Sequence, residues 1–134
     1  MIRTAVDSSV LLDLFSADPH HGVASQETLR KCWSEGGLVA CEVVWAEIRP
    51  RFSSDEALLK VANKIGLGFD SIIREAALLA GTTWKKYHEK GGKRDRMIPD
   101  FLIAAHAFLQ ADRFLTRDRG FYRTYFPTLT ILEP

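Results

Sequence analysis

Short apolar runs alternate with one-sided helical patterns along the whole chain. Residues 2–6 form an apolar run that ends at Asp7-Ser8-Ser9, and residues 8–16 then carry apolar side chains at 10, 11, 12, 14 and 15. The first predicts a buried strand and the second a short, heavily buried helix. Asp18-Pro19-His20-His21-Gly22 is a turn cluster. Over 23–35 the positions of Val23, Ala24, Leu29, Cys32 and Trp33 predict a helix that Gly36-Gly37 ends. Leu38 to Cys41 reads as a second strand, and 42–52 as a helix interrupted near Pro50. Ser53-Ser54-Asp55-Glu56 is a helix start, and the helix over 56–65 is broken by Gly66 and Gly68. A longer helical pattern runs over 70–87 with Gly81 inside it, Gly91-Gly92 opens a polar, basic connection, and Pro99-Asp100 begins a helix to about 111. Phe114-Leu115-Thr116 is a third strand, and 129–132 a last one.

Strands alternating with helices predict an α/β fold with a mostly parallel sheet of four or five strands, covered on both faces. The helices between 42 and 111 outnumber the strands, and two of them are expected to form an added helical arm. No composition shift marks a boundary, so the 134 residues are expected to be a single domain, 1–134, large enough for a real core. A net charge of +1 neither demands nor excludes a nucleic-acid partner. No apolar stretch approaches a membrane span and no basic-then-apolar leader is present, so no membrane association and a cytoplasmic location are expected. Cys32 and Cys41 lack metal-site spacing and are expected to be reduced thiols, with a single disulfide as the alternative.

Four carboxylates stand out from this pattern. Asp7 follows a strand, where α/β sheets place their ligands, although Asp-Ser-Ser is equally a helix N-cap. Glu47 shares the helix face of Val43 and Val44, with an i+4 salt bridge to Arg51 as the alternative. Asp100 shares a face with Ile103, Ala104 and Ala107 and also suits a helix N-terminus. Asp118 repeats the strand-tip position of Asp7, and before Gly120 it also reads as a turn residue. Taken together, two acids at strand tips and two near helix starts can converge at one end of a sheet. Clustered carboxylates repel one another unless a cation neutralises them, and an all-oxygen set suits Mg²⁺ or Mn²⁺. Such a site fits hydrolysis of a phosphodiester by metal-activated water.

The segments Val6-Asp7-Ser8-Ser9, Val44-Trp45-Ala46-Glu47-Ile48, Asp100-Phe101-Leu102-Ile103-Ala104-Ala105-His106-Ala107 and Leu115-Thr116-Arg117-Asp118 resemble the PIN domain, and within it the VapC-type toxins of prokaryotic toxin–antitoxin pairs. The resemblance spans essentially the whole chain in order. It implies a PIN-like three-layer α/β/α sandwich, Mg²⁺- or Mn²⁺-dependent endoribonuclease activity, a homodimer and a cognate antitoxin that blocks the site. By position, Asp7, Glu47, Asp100 and Asp118 match the family's catalytic, metal-binding quartet, and Ser9 and Thr116 match hydroxyls that support it. Many relatives carry a further acid where this chain has Gly120, which puts a second, fully liganded metal in doubt and favours one tight metal.

On the substrate side, Lys85, Lys86, Lys90, Lys93, Arg94 and Arg96 form a local basic excess, and Arg117, Arg119 and Arg123 add charge beside Asp118. These residues are expected to meet the phosphates of a tRNA, rRNA or mRNA, with Tyr87 and Tyr122 available to stack on bases. Trp84 is expected in the core or a dimer interface, His106 beside the core, and His20, His21 and His88 on the surface. Asp13, Asp95 and Asp112 have no partner in the pattern and are expected on the surface. The rival reading is a PIN-like module that binds RNA or a protein without cleaving.

Overall fold

A computed structural model describes residues 1–92 and 97–134. The five strands are β1 (Thr4–Val6), β2 (Leu38–Ala40), β3 (Leu67–Phe69), β4 (Arg113–Leu115) and β5 (Ile131–Leu132). They form one sheet in the order β3-β2-β1-β4-β5, and every neighbouring pair is parallel. Helices α1 (Ser8–Phe15) and α2 (Gly22–Glu35) join β1 to β2. Helix α3 (Glu42–Ile48), a 3₁₀ turn at Arg49–Arg51 and α4 (Asp55–Ile65) lead to β3. Helices α5 (Arg74–Glu89) and α6 (Ile98–Gln110) lead to β4, and α7 (Arg119–Tyr125) to β5. Successive residues of β1 are all buried, as are Phe114, Leu115 and Thr116, so side chains on both sheet faces are covered and the fold is a three-layer α/β/α sandwich.

The expected elements are present, with three differences. The first is β3, which the glycines at 66 and 68 disguise as a helix break. Gly66 is the left-handed cap of α4 (φ 70°), and Gly68 lies in the strand, where an added Cβ would meet the Leu38 carbonyl at 3.4 Å. With β3 in place, the four α-helices described between residues 42 and 111 fall into two pairs, one before and one after that strand. The second difference is at residues 70–73, expected to be helical. Their polar groups are bound elsewhere: Glu42 accepts from Ser71 Oγ (2.8 Å) and the Ile72 amide (2.9 Å), and Gln110 accepts the Ile73 amide (2.9 Å). Helix α5 therefore starts at Arg74 and then runs unbroken through Gly81. The third is α7, whose seven residues after Asp118 carry too little periodicity to be read in advance.

Gly36 brings α2 against the start of β1. An added Cβ there would collide with the Ile2 carbonyl, which is backbone and cannot swing aside. Gly81, by contrast, has nothing within 4 Å of where its Cβ would stand. Gly36→Ala is expected to lower stability by about 1–3 kcal/mol through overpacking. Gly81→Ala is expected to raise it by about 0.5–1 kcal/mol through helix propensity. Urea denaturation of the two variants reads both; a destabilising Gly81→Ala would contradict a continuous α5.

Candidate active site

The strand order places the site. From β1 the chain winds outward through β2 to β3, then returns to the other side of β1 for β4 and β5. The winding direction reverses between β1 and β4, and a crevice opens at the carboxyl ends of those two strands. Asp7 follows β1 and Thr116 follows β4; the Asp7 amide donates to the Leu115 carbonyl at 2.9 Å, which locks the two tips together.

Asp7 occupies the N-cap position of α1 in extended geometry, yet its side chain makes no cap bond. Its Oδ2 accepts instead from Thr116 Oγ1 (2.7 Å) and Ser9 Oγ (3.2 Å). Thr116 Oγ1 in turn accepts the Asp118 amide at 3.0 Å, so one hydroxyl couples both strand-tip acids. Ser8 Oγ donates to Glu47 Oε1 at 2.9 Å, linking α3 to the same end, in place of the Glu47–Arg51 bridge considered from sequence. Asp100 stands in the first turn of α6, behind Pro99. Asp7, Asp100 and Asp118 line one open pocket of about 610 Å³, with Glu47 at its margin through Ser8.

Burial dominates the electrostatics here. It raises the Asp7 carboxyl to about 6 from an ordinary 3.8; the hydroxyl bonds from Thr116 and Ser9 pull the other way, and the charges of Glu47 and Asp100 add to the rise. Glu47 is likewise raised, by burial first and by the Asp100 charge, against the Ser8 bond. These carboxylates thus feel one another. Among the described residues no three His, Cys, Asp or Glu side chains stand close enough together to hold an ion by themselves. A carboxylate set of this kind still suits Mg²⁺, which keeps several waters and takes only one or two carboxylates plus substrate oxygens.

The basic residues divide. Lys85, Lys86 and Lys90 are exposed at the end of α5, with Lys85 near Glu89 (3.9 Å). That end packs beside the starts of α6 and α7, since Tyr87 contacts Phe101 and Phe121 at ring separations of 5.5 and 6.1 Å. Arg119 and Arg123 are exposed on α7, while Lys93, Arg94, Arg96 and Asp95 lie outside the described residues. Tyr87 and Tyr122 are buried, so they fill the core and are not available for stacking on bases. Trp84 is half-buried against His88. His106 is buried and bonded to Asp70 (2.8 Å); His20, His21 and His88 are exposed. Both cysteines are buried and free.

Asp112 is exposed, although it accepts the Arg3 amide (2.7 Å). Asp13 departs from expectation: it is only 4% exposed and holds Arg117 Nε at 2.6 Å. The signal for it was available, because Asp13 follows buried Val10 by one helical turn and must share its face. Arg51 is the other residue missed, an exposed cation on the pocket wall.

Sign and size of the Asp7 shift give a test. The folded chain holds this proton more tightly than the unfolded one, so the group's contribution to stability falls as pH rises from about 4 to above 6. The gap is worth at most about 3 kcal/mol. Metal-free Asp7→Asn is therefore expected to melt above the wild type at pH 8, with the margin closing toward pH 4. Added Mg²⁺ should narrow the margin at pH 8 by stabilising the wild type alone. A margin that does not change with pH would contradict the burial cost assigned to Asp7.

Residues 4–127 match the family model described as the PIN domain. A comparison with curated proteins finds no match. Among solved structures, VapBC2 from Rickettsia felis bound to a promoter DNA fragment superposes with a TM-score of 0.76 at 16% identity, covering 98% of this chain and 98% of that one. VapBC-1 from nontypeable Haemophilus influenzae gives 0.74 at 17% identity, again covering 98% of each chain. The sarcin-ricin loop cleaving toxin VapC20 of Mycobacterium tuberculosis gives 0.63 at 14% identity, covering 98% of this chain and 99% of that one. Identities this low speak for the fold alone. PIN domains are as a family nucleases that generally use divalent metal ions. With its family match running through every residue that lines the pocket, the chain belongs to the PIN domain family.

Proposed function

We propose that this chain acts as one nuclease domain over residues 1–134, a Mg²⁺- or Mn²⁺-dependent endoribonuclease, and that it is the VapC-like toxin of a toxin–antitoxin pair. The observation that carries the reading is the meeting of Asp7, Asp100 and Asp118 in one pocket at the switch point, with the Asp7 carboxyl raised to about 6 by burial and by its acidic neighbours. Asp7, Asp100 and Asp118 would hold the cation, with Glu47 reaching the same centre from α3. Bound there, a divalent ion supplies a Lewis acid that activates water and offsets charge on the phosphate.

The chain's own residues do the rest. Thr116 and Ser9 hold one Asp7 oxygen through their hydroxyls, and Ser8 Oγ lies 3.5 Å from the other. Thr116 also fixes the Asp118 backbone, so the two strand-tip acids keep their spacing. Ser8 restrains Glu47. Exposed Lys85 and Lys86 on α5, and Arg119 on α7, offer phosphate contacts along the approach, with Arg117 at the pocket wall. Gly120 in place of a further acid favours a single tight metal. The toxin reading draws support from the fold shared with complexes described as VapBC and with a toxin described as cleaving the sarcin-ricin loop. A cognate antitoxin, a homodimer and a cytoplasmic setting belong to the same reading. No helix among the described residues is long and apolar enough to cross a membrane.

The test is cleavage of a panel of tRNAs and rRNA fragments. Wild type is expected to cut with Mg²⁺ or Mn²⁺ and to fall silent in EDTA, and Asp100→Asn to lose at least about 100-fold in rate. Cleavage unchanged in Asp100→Asn would overturn the mechanism, and binding without cleavage by the wild type would favour a non-cleaving module. Growth arrest on expression, relieved by the product of an adjacent gene, tests the toxin role.

A further inference from the structure

Asp13 lies outside the acidic group but on the same pocket. Its carboxylate, on α1, is almost wholly buried; Oδ2 accepts from Ser25 Oγ of α2 at 3.1 Å and pairs with Arg117 Nε at 2.6 Å. A buried ion pair adds little net stability over a well-packed apolar pair, so stability alone does not explain a charge placed here. Position does. Arg117 stands between Thr116 and Asp118, its side chain is 35% exposed, and both it and Asp13 line the pocket.

An arginine on a wall shared with Asp7, Asp100 and Asp118 would ordinarily fold onto one of them, neutralising it and occupying its oxygens. Asp13 competes from the protein side. By taking Nε, it sets the guanidinium plane, and the terminal amino groups lie farther along a side chain that lines the pocket. A guanidinium can serve two acceptors on different edges; an ammonium is a compact charge without that fork. We propose that Asp13 is a positioning residue that holds Arg117 away from the acidic group and presents its terminal amines to a phosphate of the RNA. The inference rests on the ribonuclease reading above.

The experiment is binding of a fluorescein-labelled single-stranded RNA, followed by anisotropy in Ca²⁺ over a salt series. The proteins compared are wild type, Asp13→Asn, Arg117→Ala and the double variant. Arg117→Ala is expected to weaken binding about 5–10-fold and to flatten the slope of log K against log salt by about one ion. Asp13→Asn should produce the same slope change although it removes a negative charge, which a merely structural role would not do. The double variant should match Arg117→Ala alone. Wild-type slope in Asp13→Asn, no effect of Arg117→Ala, or additive losses in the double variant would each overturn the proposal. If Asp13→Asn does not fold, Arg117→Lys carries the test: it keeps the charge, yet should lose the slope as Arg117→Ala does, and a wild-type slope would overturn the proposal. No RNA binding by the wild type would defeat the ribonuclease reading and this inference with it, whereas normal wild-type binding with unaffected variants defeats the inference alone.

Discussion

The Asp7 carboxylate is buried between two strand tips with hydroxyl partners and, among the described residues, no cation bonded to it, and much of the structure serves to hold it there. A charge so placed is costly in isolation, and its rise to about 6 measures that cost. Two hydroxyls and the backbone of a neighbouring strand keep the group oriented without neutralising it. Such an arrangement stores a demand for positive charge. The divalent ion proposed above would meet it while leaving positions open, whereas an arginine or lysine on Asp7 would fill that space.

Sheet topology makes the demand local. The strands are only two or three residues long, so the sheet is little more than a platform on which loops at the carboxyl ends are mounted. The reversal between β1 and β4 opens the crevice, and the Thr116 hydroxyl bridges it, bonded to Asp7 on one side and to the Asp118 backbone on the other. On the pocket wall Arg117 is held on an anchor of its own, Asp13, at 2.6 Å.

A second polar network lies beyond the carboxyl ends of β2 and β3. Asp70, just beyond β3, bonds His106 (2.8 Å), Gln110 (3.1 Å) and Arg3 (3.0 Å), while Glu42 holds Ser71 and Ile72. It joins the β3–α5 connection to α6, the helix that carries Asp100. The same bonds explain why residues 70–73 are not helical: their amides find carboxylate and amide oxygens from distant elements, and these outweigh a local pattern that favours helix.

The sequence by itself determined the alternation of strands and helices, and with it the parallel sheet and the tip positions of Asp7 and Asp118, because period and punctuation are local properties. It also marked Glu47 and Asp100 as acids on apolar faces. Tertiary structure decided what depends on neighbours far along the chain. Leu67-Gly68-Phe69 is a strand only because β2 offers it a partner, and α5 starts late only because Glu42 and Gln110 reach its first residues. Asp7 sits where a cap would be and yet caps nothing, since Thr116, 109 residues away, takes its oxygen. Tyr87 and Tyr122 looked available to bases and are buried, and Asp13 looked like a surface acid and is the buried anchor of Arg117. Which face of an element points inward, and what waits there, is set by packing between elements. Only for Asp13 did a neighbour, Val10 one turn earlier, carry part of that information.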